Sequence, residues 1–248
     1  MGAGFWLEDG ARGDPNNGLR GGILLDELTR NALVLGTPQA RNDAAHLSDI
    51  VWPITQYYPF IDSILTPLVT DRGNLDVAMQ MTLINWEVEG TTFLLTRATH
   101  RIVGRTRPMG KGCEKDPAYA DVCKSHAGLT SSFLSGHASM TFASAGLACS
   151  HHIALPLYGG NAMDALACAL ALTGATTVGV LRVMADKHWW SDVIAGTALG
   201  TATGFGMPFL FHYSTISMRI PNGILGGRLH LLPLANETTA GASVVAFQ

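Results

Sequence analysis

Long apolar stretches alternate with short polar breaks along the chain, and most of the apolar stretches have helical spacing. Ile23 to Leu35 repeats its apolar positions at a helical period and ends at Gly36-Thr37-Pro38, a stop signal. Its Asp26, Glu27 and Arg30 make it an amphipathic surface helix rather than a span. Leu47 to Val69 is apolar apart from Asp49 and Asp62 and contains Pro53, Pro59 and Pro67. It reads as one kinked span or two short helices, because an interior proline removes a backbone hydrogen bond. Leu75 to Thr99 is a strong helix that carries Asp76, Glu87, Glu89 and Arg97, so at least one face must look inward.

Three cleaner segments follow. Ala138 to Gly159, Ala165 to Leu181 and Val193 to Tyr213 contain no Asp, Glu, Lys or Arg. Two of them approach the ~20 residues that a spanning helix needs. Gly196, Gly200 and Gly204 recur every fourth residue and so share one helical face, where they permit close approach of a neighbouring backbone. After Tyr213 the chain turns polar and Gly-rich, and Leu229 to Leu234 could pair with Ser243 to Phe247 as a β-hairpin. The pattern predicts an all-α, membrane-embedded bundle of about five to six helices. The expected organisation is an N-terminal loop over 1–21, a helical domain over 22–213 and a C-terminal tail over 214–248.

Composition agrees with close-packed helices. Of the 248 residues only 14% are charged and 47% are hydrophobic. An ordinary soluble protein has roughly 25% charged residues, so a disordered or highly solvated chain is excluded. The net charge of −3 supplies no basic field to draw the chain onto nucleic acid. The N-terminus is not a secretory signal, since its apolar stretch is too short and no basic region precedes it. Arg12-Gly13-Asp14 and the triplet Asn236-Glu237-Thr238 are short enough to be chance matches.

Candidate chemistry lies in three places. The first is the segment from His100 to Pro108, where Arg101, Arg105 and Arg107 crowd a loop that Gly104 allows to turn tightly. Guanidinium groups suit a bidentate grip on phosphate, although a basic loop beside a membrane helix also sets topology. The second is Ser132-Phe133-Leu134-Ser135-Gly136-His137, at the start of a charge-free helix. A helix N-terminus presents free N–H groups to an anion, and a histidine there can donate a proton. A capping serine explains the same residues equally well. The third is Arg182, His188 and Asp192. If His188 and Asp192 lie on one helix they share a face, and the carboxylate can orient the imidazole for attack. An interfacial belt built on Trp189 and Trp190 is the plainer reading of that segment.

Taken together, the three places resemble the three signature motifs of the type-2 phosphatidic acid phosphatase superfamily, which includes lipid phosphatases, bacterial acid phosphatases and vanadium haloperoxidases. Gly104, Arg105, Arg107 and Pro108 fall in register with the first motif, Ser135, Gly136 and His137 with the second, and Arg182, His188 and Asp192 with the third. Three positions depart from the pattern: His100 stands for its Lys, Leu134 for its Pro and Leu181 for its Ser. The resemblance implies a phosphatase acting on a phosphomonoester or diphosphate, of a lipid or isoprenoid, through a phosphohistidine. His188 would attack phosphorus, Asp192 would orient it, and His137 would protonate the leaving oxygen. Arg107, Arg182, Ser135 and Gly136 would bind the phosphoryl oxygens, with His100 in its cationic form and neighbouring Arg101 as further contacts. No metal or cofactor is implied. The alternatives are a haloperoxidase that holds vanadate, and a non-catalytic headgroup binder in which His100 has cost the activity.

Independently of any family, spans over 75–99, 138–157 and 165–181 alternate direction, so all three places meet at one membrane face. The dense arginines would put that face in the cytoplasm by the positive-inside rule. Cys113 and Cys123, close together in a polar loop, read instead as a disulfide in an oxidising compartment. The cysteines and the resemblance together favour a multi-pass protein of a bacterial inner membrane with its site facing the periplasm. Cys149 and Cys168 flank the opposite loop and are taken as core thiols; a bridge between them would favour a soluble periplasmic protein. His151 and His152 lie at the wrong end of their helix to join His188 as a metal set.

Overall fold

The computed structural model describes residues 18–70, 74–112, 129–160, 162–213, 216–219, 228–236 and 239–247. Helix α1 covers Asp26–Leu33 and α2 covers Pro38–Thr70. Thr37 Oγ1 accepts the N–H of Ala40, and Pro38 takes the first helical turn, where its missing N–H costs nothing. The stretch with three prolines is therefore a single long helix, with Pro53, Pro59 and Pro67 inside it. Helix α3, Leu75–Val103, starts at an Asn74 cap and ends where Gly104 adopts φ +55°, a conformation that favours glycine. A 3₁₀ turn over Pro108–Gly112 follows.

Helix α4, Gly136–Ala154, is the central element: it packs on α2, on α3 and on the two helices that follow. Those are α5, Ala162–Met184, and α6, Trp190–Thr201, the latter continuing as π-helical turns over Ala202–Gly206 and Pro208–Tyr213. Most of α4 is small and buried, with Ala138, Ala143, Ala145 and Ala148 almost wholly inaccessible. The glycine ladder of α6 explains how it comes so close. A Cβ on Gly196 would stand 2.6 Å from the Ser135 carbonyl oxygen, and on Gly200 and Gly204 it would collide with the backbone of Ser139 and Ala143. The ladder is a helix-packing face.

Cys149 of α4 and Cys168 of α5 form a disulfide, with Cα atoms 4.4 Å apart. This corrects the expectation of core thiols: two small-residue helices in close contact bring the sulfurs within bonding reach. The Cys113–Cys123 pair lies outside the described residues. In the tail, strands β1 (Ile216–Arg219), β2 (Arg228–Asn236) and β3 (Thr239–Phe247) pair antiparallel in that order.

Among the described residues, two helices are long and apolar enough to cross a membrane, Ala162–Met184 and Trp190–Tyr213. The bundle also exposes an apolar exterior, with Ile50, Ile54, Ile61 and Leu65 on α2, Leu83, Trp86 and Leu94 on α3, and Leu166 and Leu170 on α5.

Candidate active site

The end of α3, the start of α4, the end of α5 and the start of α6 meet at one end of the bundle. Arg107 Nη1 donates to His188 Nε2 at 3.1 Å and to the Lys187 carbonyl at 2.9 Å. Its Nη2 donates to the Ser131 carbonyl at 3.2 Å. The Ser135 N–H donates to the Asp192 carbonyl, and Ser135 Oγ accepts the N–H of Ala138 as the α4 cap. The first, second and third sequence motifs are thus joined by direct bonds.

His188 is held differently from the expected arrangement. It lies before α6, whose N-cap is Trp189, so His188 and Asp192 do not share a helical face. The His188 Nδ1–H donates to the Ser132 carbonyl at 2.9 Å, whereas Asp192 Oδ2 is 3.8 Å away. Asp192 acts one step back. Its carboxylate accepts from Ser132 Oγ at 2.5 Å, from the Trp189 N–H at 3.0 Å and from Arg105 Nη1 at 2.6 Å. It fixes the segment that in turn fixes the imidazole. With Nδ1 protonated, the lone pair of Nε2 faces Arg107. Burial first, then Arg107 and Arg182, hold the His188 pKa well below the ordinary value, so the ring is neutral.

Arg105 is a tie rather than a ligand-facing group. It is fully buried and joins Asp192, Ser191 Oγ, the Gly21 carbonyl and Asp26 Oδ2, at 2.6–2.9 Å, with its guanidinium over the Trp189 ring. Burial pushes the Asp26 carboxyl up, but the N–H groups of Ile23 and Ser191 and the Arg105 guanidinium outweigh it and hold the pKa below the usual range. Helix α1 is thereby latched to the site. Neither Asp26 nor Ser132 was given a site role from the sequence, although Ser132 opens the second candidate segment and an acidic residue inside an apolar periodic run was a readable signal for Asp26.

On the other side of His188, Asp49 of α2 accepts from Arg182 Nη1 at 2.9 Å and faces His137 Nε2 at 3.2 Å. His137 also rests against the Trp52 ring, centroids 5.2 Å apart. Burial, with Arg182 and Arg107, pushes the His137 pKa down against the opposing pull of Asp49. A cleft of about 260 Å³ opens here, lined by Asn42, Ala45, His46, Asp49, His137, Arg182 and Lys187. Asp49 and Lys187 were missed as site residues. Asp49 had been visible as an acid in an apolar segment, and Lys187 as the residue before His188.

Two expected contacts are not brought into this cleft. Arg101 is exposed on the last turn of α3. His100 is buried, and its Nε2–H donates to the Leu134 carbonyl at 2.7 Å. Burial drives its pKa down to about 4, opposed by that bond and assisted by Arg107 and Arg97, so it is neutral near pH 7. The expectation of a cationic His100 is therefore corrected: the ring is desolvated and sits among arginines. Gly136 lies beside it, where an added Cβ would be 3.9 Å from His100 Cε1.

Comparison with protein families finds a match to the PAP2 superfamily over residues 88–216, just over half of the chain. Comparison with curated proteins and with solved structures gives no match.

Proposed function

Because the chain belongs to the PAP2 superfamily, whose chemistry is of phosphatase or haloperoxidase type, we propose that it is a phosphatase that cleaves a phosphomonoester or diphosphate of a lipid through a phosphohistidine. The observation that carries this reading is a neutral, buried imidazole whose Nε2 lone pair points at a guanidinium. An incoming phosphoryl group exchanges places with that lone pair's present partner. Arg107 shifts from Nε2 to a phosphoryl oxygen, and the freed Nε2 attacks phosphorus. The P–N bond forms as the bond to the leaving oxygen breaks, and His137, regaining its proton as the dianion enters, passes it to that oxygen. Water then attacks the phosphohistidine, with His137 as base, and releases phosphate. Arg107 and Arg182 stabilise the charge that develops on the equatorial oxygens. Asp192 and Ser132 hold the nucleophile, and Asp49 holds His137 and Arg182.

The apolar exterior supports a membrane seat, as do the two apolar helices. Leu24 is 92% exposed, and Leu25 and Leu28 are exposed beside it, on the segment latched to the site by Arg105. These exposed leucines support the reading of α1 and the residues before it as an interfacial segment beside the site, as a lipid substrate requires. A second reading, a soluble helical protein of an oxidising compartment, is favoured by the Cys149–Cys168 bridge. Resistance of the chain to alkaline extraction from membranes supports the first reading; release supports the second.

The decisive experiment measures phosphate release from a panel of lipid, isoprenoid and soluble phosphates by the wild type and by His188→Ala. The expected result is turnover of lipid phosphates that His188→Ala lowers by roughly 10³-fold or more. Turnover that survives His188→Ala overturns the phosphohistidine route. Halide oxidation that requires both vanadate and peroxide, with no ester cleavage, overturns the phosphatase reading.

A further inference from the structure

The position where the family pattern has a lysine holds His100, and that ring is neutral and bonded to a carbonyl. A lysine nevertheless reaches the site from elsewhere. Lys187 lines the cleft together with Arg182, His137 and Asp49. Its main chain is pinned between the two site arginines: the N–H donates to the Arg182 carbonyl at 3.0 Å, and the carbonyl accepts from Arg107 at 2.9 Å.

The presentation of Lys187 is built at some cost. Asp186 takes φ +58°, a left-handed conformation that non-glycine residues seldom adopt. Arg30 of α1 holds its carboxylate with two bonds of 2.7 and 2.6 Å, and its carbonyl accepts the N–H of Met109. A turn so constrained places the next side chain in one direction. No hydrogen bond or ion pair joins the Lys187 ammonium to any described residue, and Asp49 and Asp186 act on it only at longer range. An ammonium without a partner, half-buried beside two arginines, is costly unless an anion completes it. Those same surroundings, burial first and then Arg182 and Arg107, push its pKa down.

We propose that Lys187 is the phosphate-binding cation of this site, supplying from the loop before the nucleophile the charge that His100 does not carry. This rests on the reading of the cleft as a phosphate site. A phosphoryl group in the cleft would meet Arg182 from the end of α5 and Lys187 from the loop that follows, with His137 on the leaving side and Arg107 behind them, bonded to His188 and the Lys187 carbonyl. The anion held is inorganic phosphate or the terminal phosphoryl group of an ester, which share this chemistry.

Calorimetric binding of inorganic phosphate to the full chain tests the proposal, with the wild type compared with Lys187→Gln and Lys187→Arg. Lys187→Gln should weaken binding about 10- to 100-fold, as expected for loss of a charged hydrogen bond, and Lys187→Arg should restore most of it. In turnover assays the loss should fall mainly on KM. If Lys187→Gln binds within about twofold of wild type, or if the wild type binds no phosphate, the proposal is overturned. Should Lys187→Gln fail to fold, acetylation of the wild type gives the answer by mass spectrometry. Phosphate should protect Lys187 from the reagent, and equal acetylation with and without phosphate overturns the proposal. Tight phosphate binding that depends on Lys187, with no ester cleaved, supports this assignment while removing the phosphatase reading. Ester cleavage indifferent to Lys187→Gln removes this assignment and leaves that reading intact.

Discussion

Two clusters of buried histidine and aspartate lie at opposite ends of α4, and their chemistry differs. His152 is one full helix length from His137, about 22 Å along the axis. Each of its ring nitrogens faces a carboxylate, Asp164 Oδ1 at 2.7 Å and Asp62 Oδ2 at 3.2 Å. Asp62 also accepts from Tyr158 and Thr66 at 2.6 Å, and Asp164 from the N–H groups of Tyr158 and Gly160. Both nitrogens of that imidazole are engaged, with the Tyr58 hydroxyl also 3.3 Å from Nε2. At the other end, His188 gives its Nδ1–H to a carbonyl and keeps an Nε2 lone pair against an arginine. A carboxylate beside a histidine therefore does not mark a nucleophile. Under the proposed phosphatase reading, what sets His188 apart is a neutral ring whose lone pair faces an exchangeable cation.

Substitutions that remove one charge from each cluster test this contrast most strongly. Arg105→Met leaves Asp26 and Asp192 buried without their guanidinium, and His152→Leu leaves Asp62 and Asp164 without their shared ring. Each should lose about 3–5 kcal/mol of stability, read as a fall in the unfolding midpoint. Turnover per folded molecule should drop only for Arg105→Met, because Asp192 then no longer holds Ser132 and through it His188. An equal drop in both variants would break the comparison.

The second test concerns how each end is secured. Cys149 lies one turn from His152 on α4, and Cys168 lies one turn from Asp164 on α5, so the bridge clamps the helices that carry the far cluster. The near end has no disulfide among the described residues and is tied by ion pairs and hydrogen bonds. Replacing both cysteines by serine should cost about 3 kcal/mol. Amide exchange should rise over the far ends of α4 and α5 and stay unchanged around Ser135. Faster exchange at the near end would show that the two clusters are coupled.

How far the sequence reaches is itself uneven between the two ends. The helices were legible because charge-free runs and a glycine every fourth residue leave few alternatives. The residues of the proposed site could be named because three short motifs fall in order, and the fold brings those motifs together at one end of the bundle. The supporting residues could not. Asp26 and Asp49 reach the site from α1 and α2, distant in sequence, and only the packing of those helices shows it; Ser132 and Lys187 adjoin the second and third motifs, and only the hydrogen bonds and the cleft lining show their part. The far cluster was passed over as a pair of adjacent histidines, since Asp62 and Asp164 lie on two other helices. The proline-rich stretch is helical throughout because tertiary packing on α4 and α5 overrides the local cost of three prolines.

The smallest expected effect separates a neutral ring from a charged one at the near end. His100 in the unfolded chain titrates near 6.5, whereas in the fold it does so at about 4. Between those values the unfolded state binds the proton and the native state does not. His100 thus favours the fold above about pH 6.5, and that contribution is lost as pH falls toward 4. The loss should amount to at most about 2 kcal/mol between pH 7 and pH 5. His188 and His137 are depressed as well and add to the acid loss, so only the difference between variants isolates His100. His100→Gln keeps a side-chain N–H for the Leu134 carbonyl and removes the titration. Its stability should fall less steeply than that of the wild type over this range, by denaturant midpoints taken at several pH values. Its turnover between pH 7 and pH 9 should run parallel to wild type, because no charge on His100 exists there to lose. Parallel stability curves would place His100 among ordinary exposed imidazoles. A wild-type rate that falls above pH 7 and is rescued by His100→Lys would return the phosphate charge to this position and take it from Lys187.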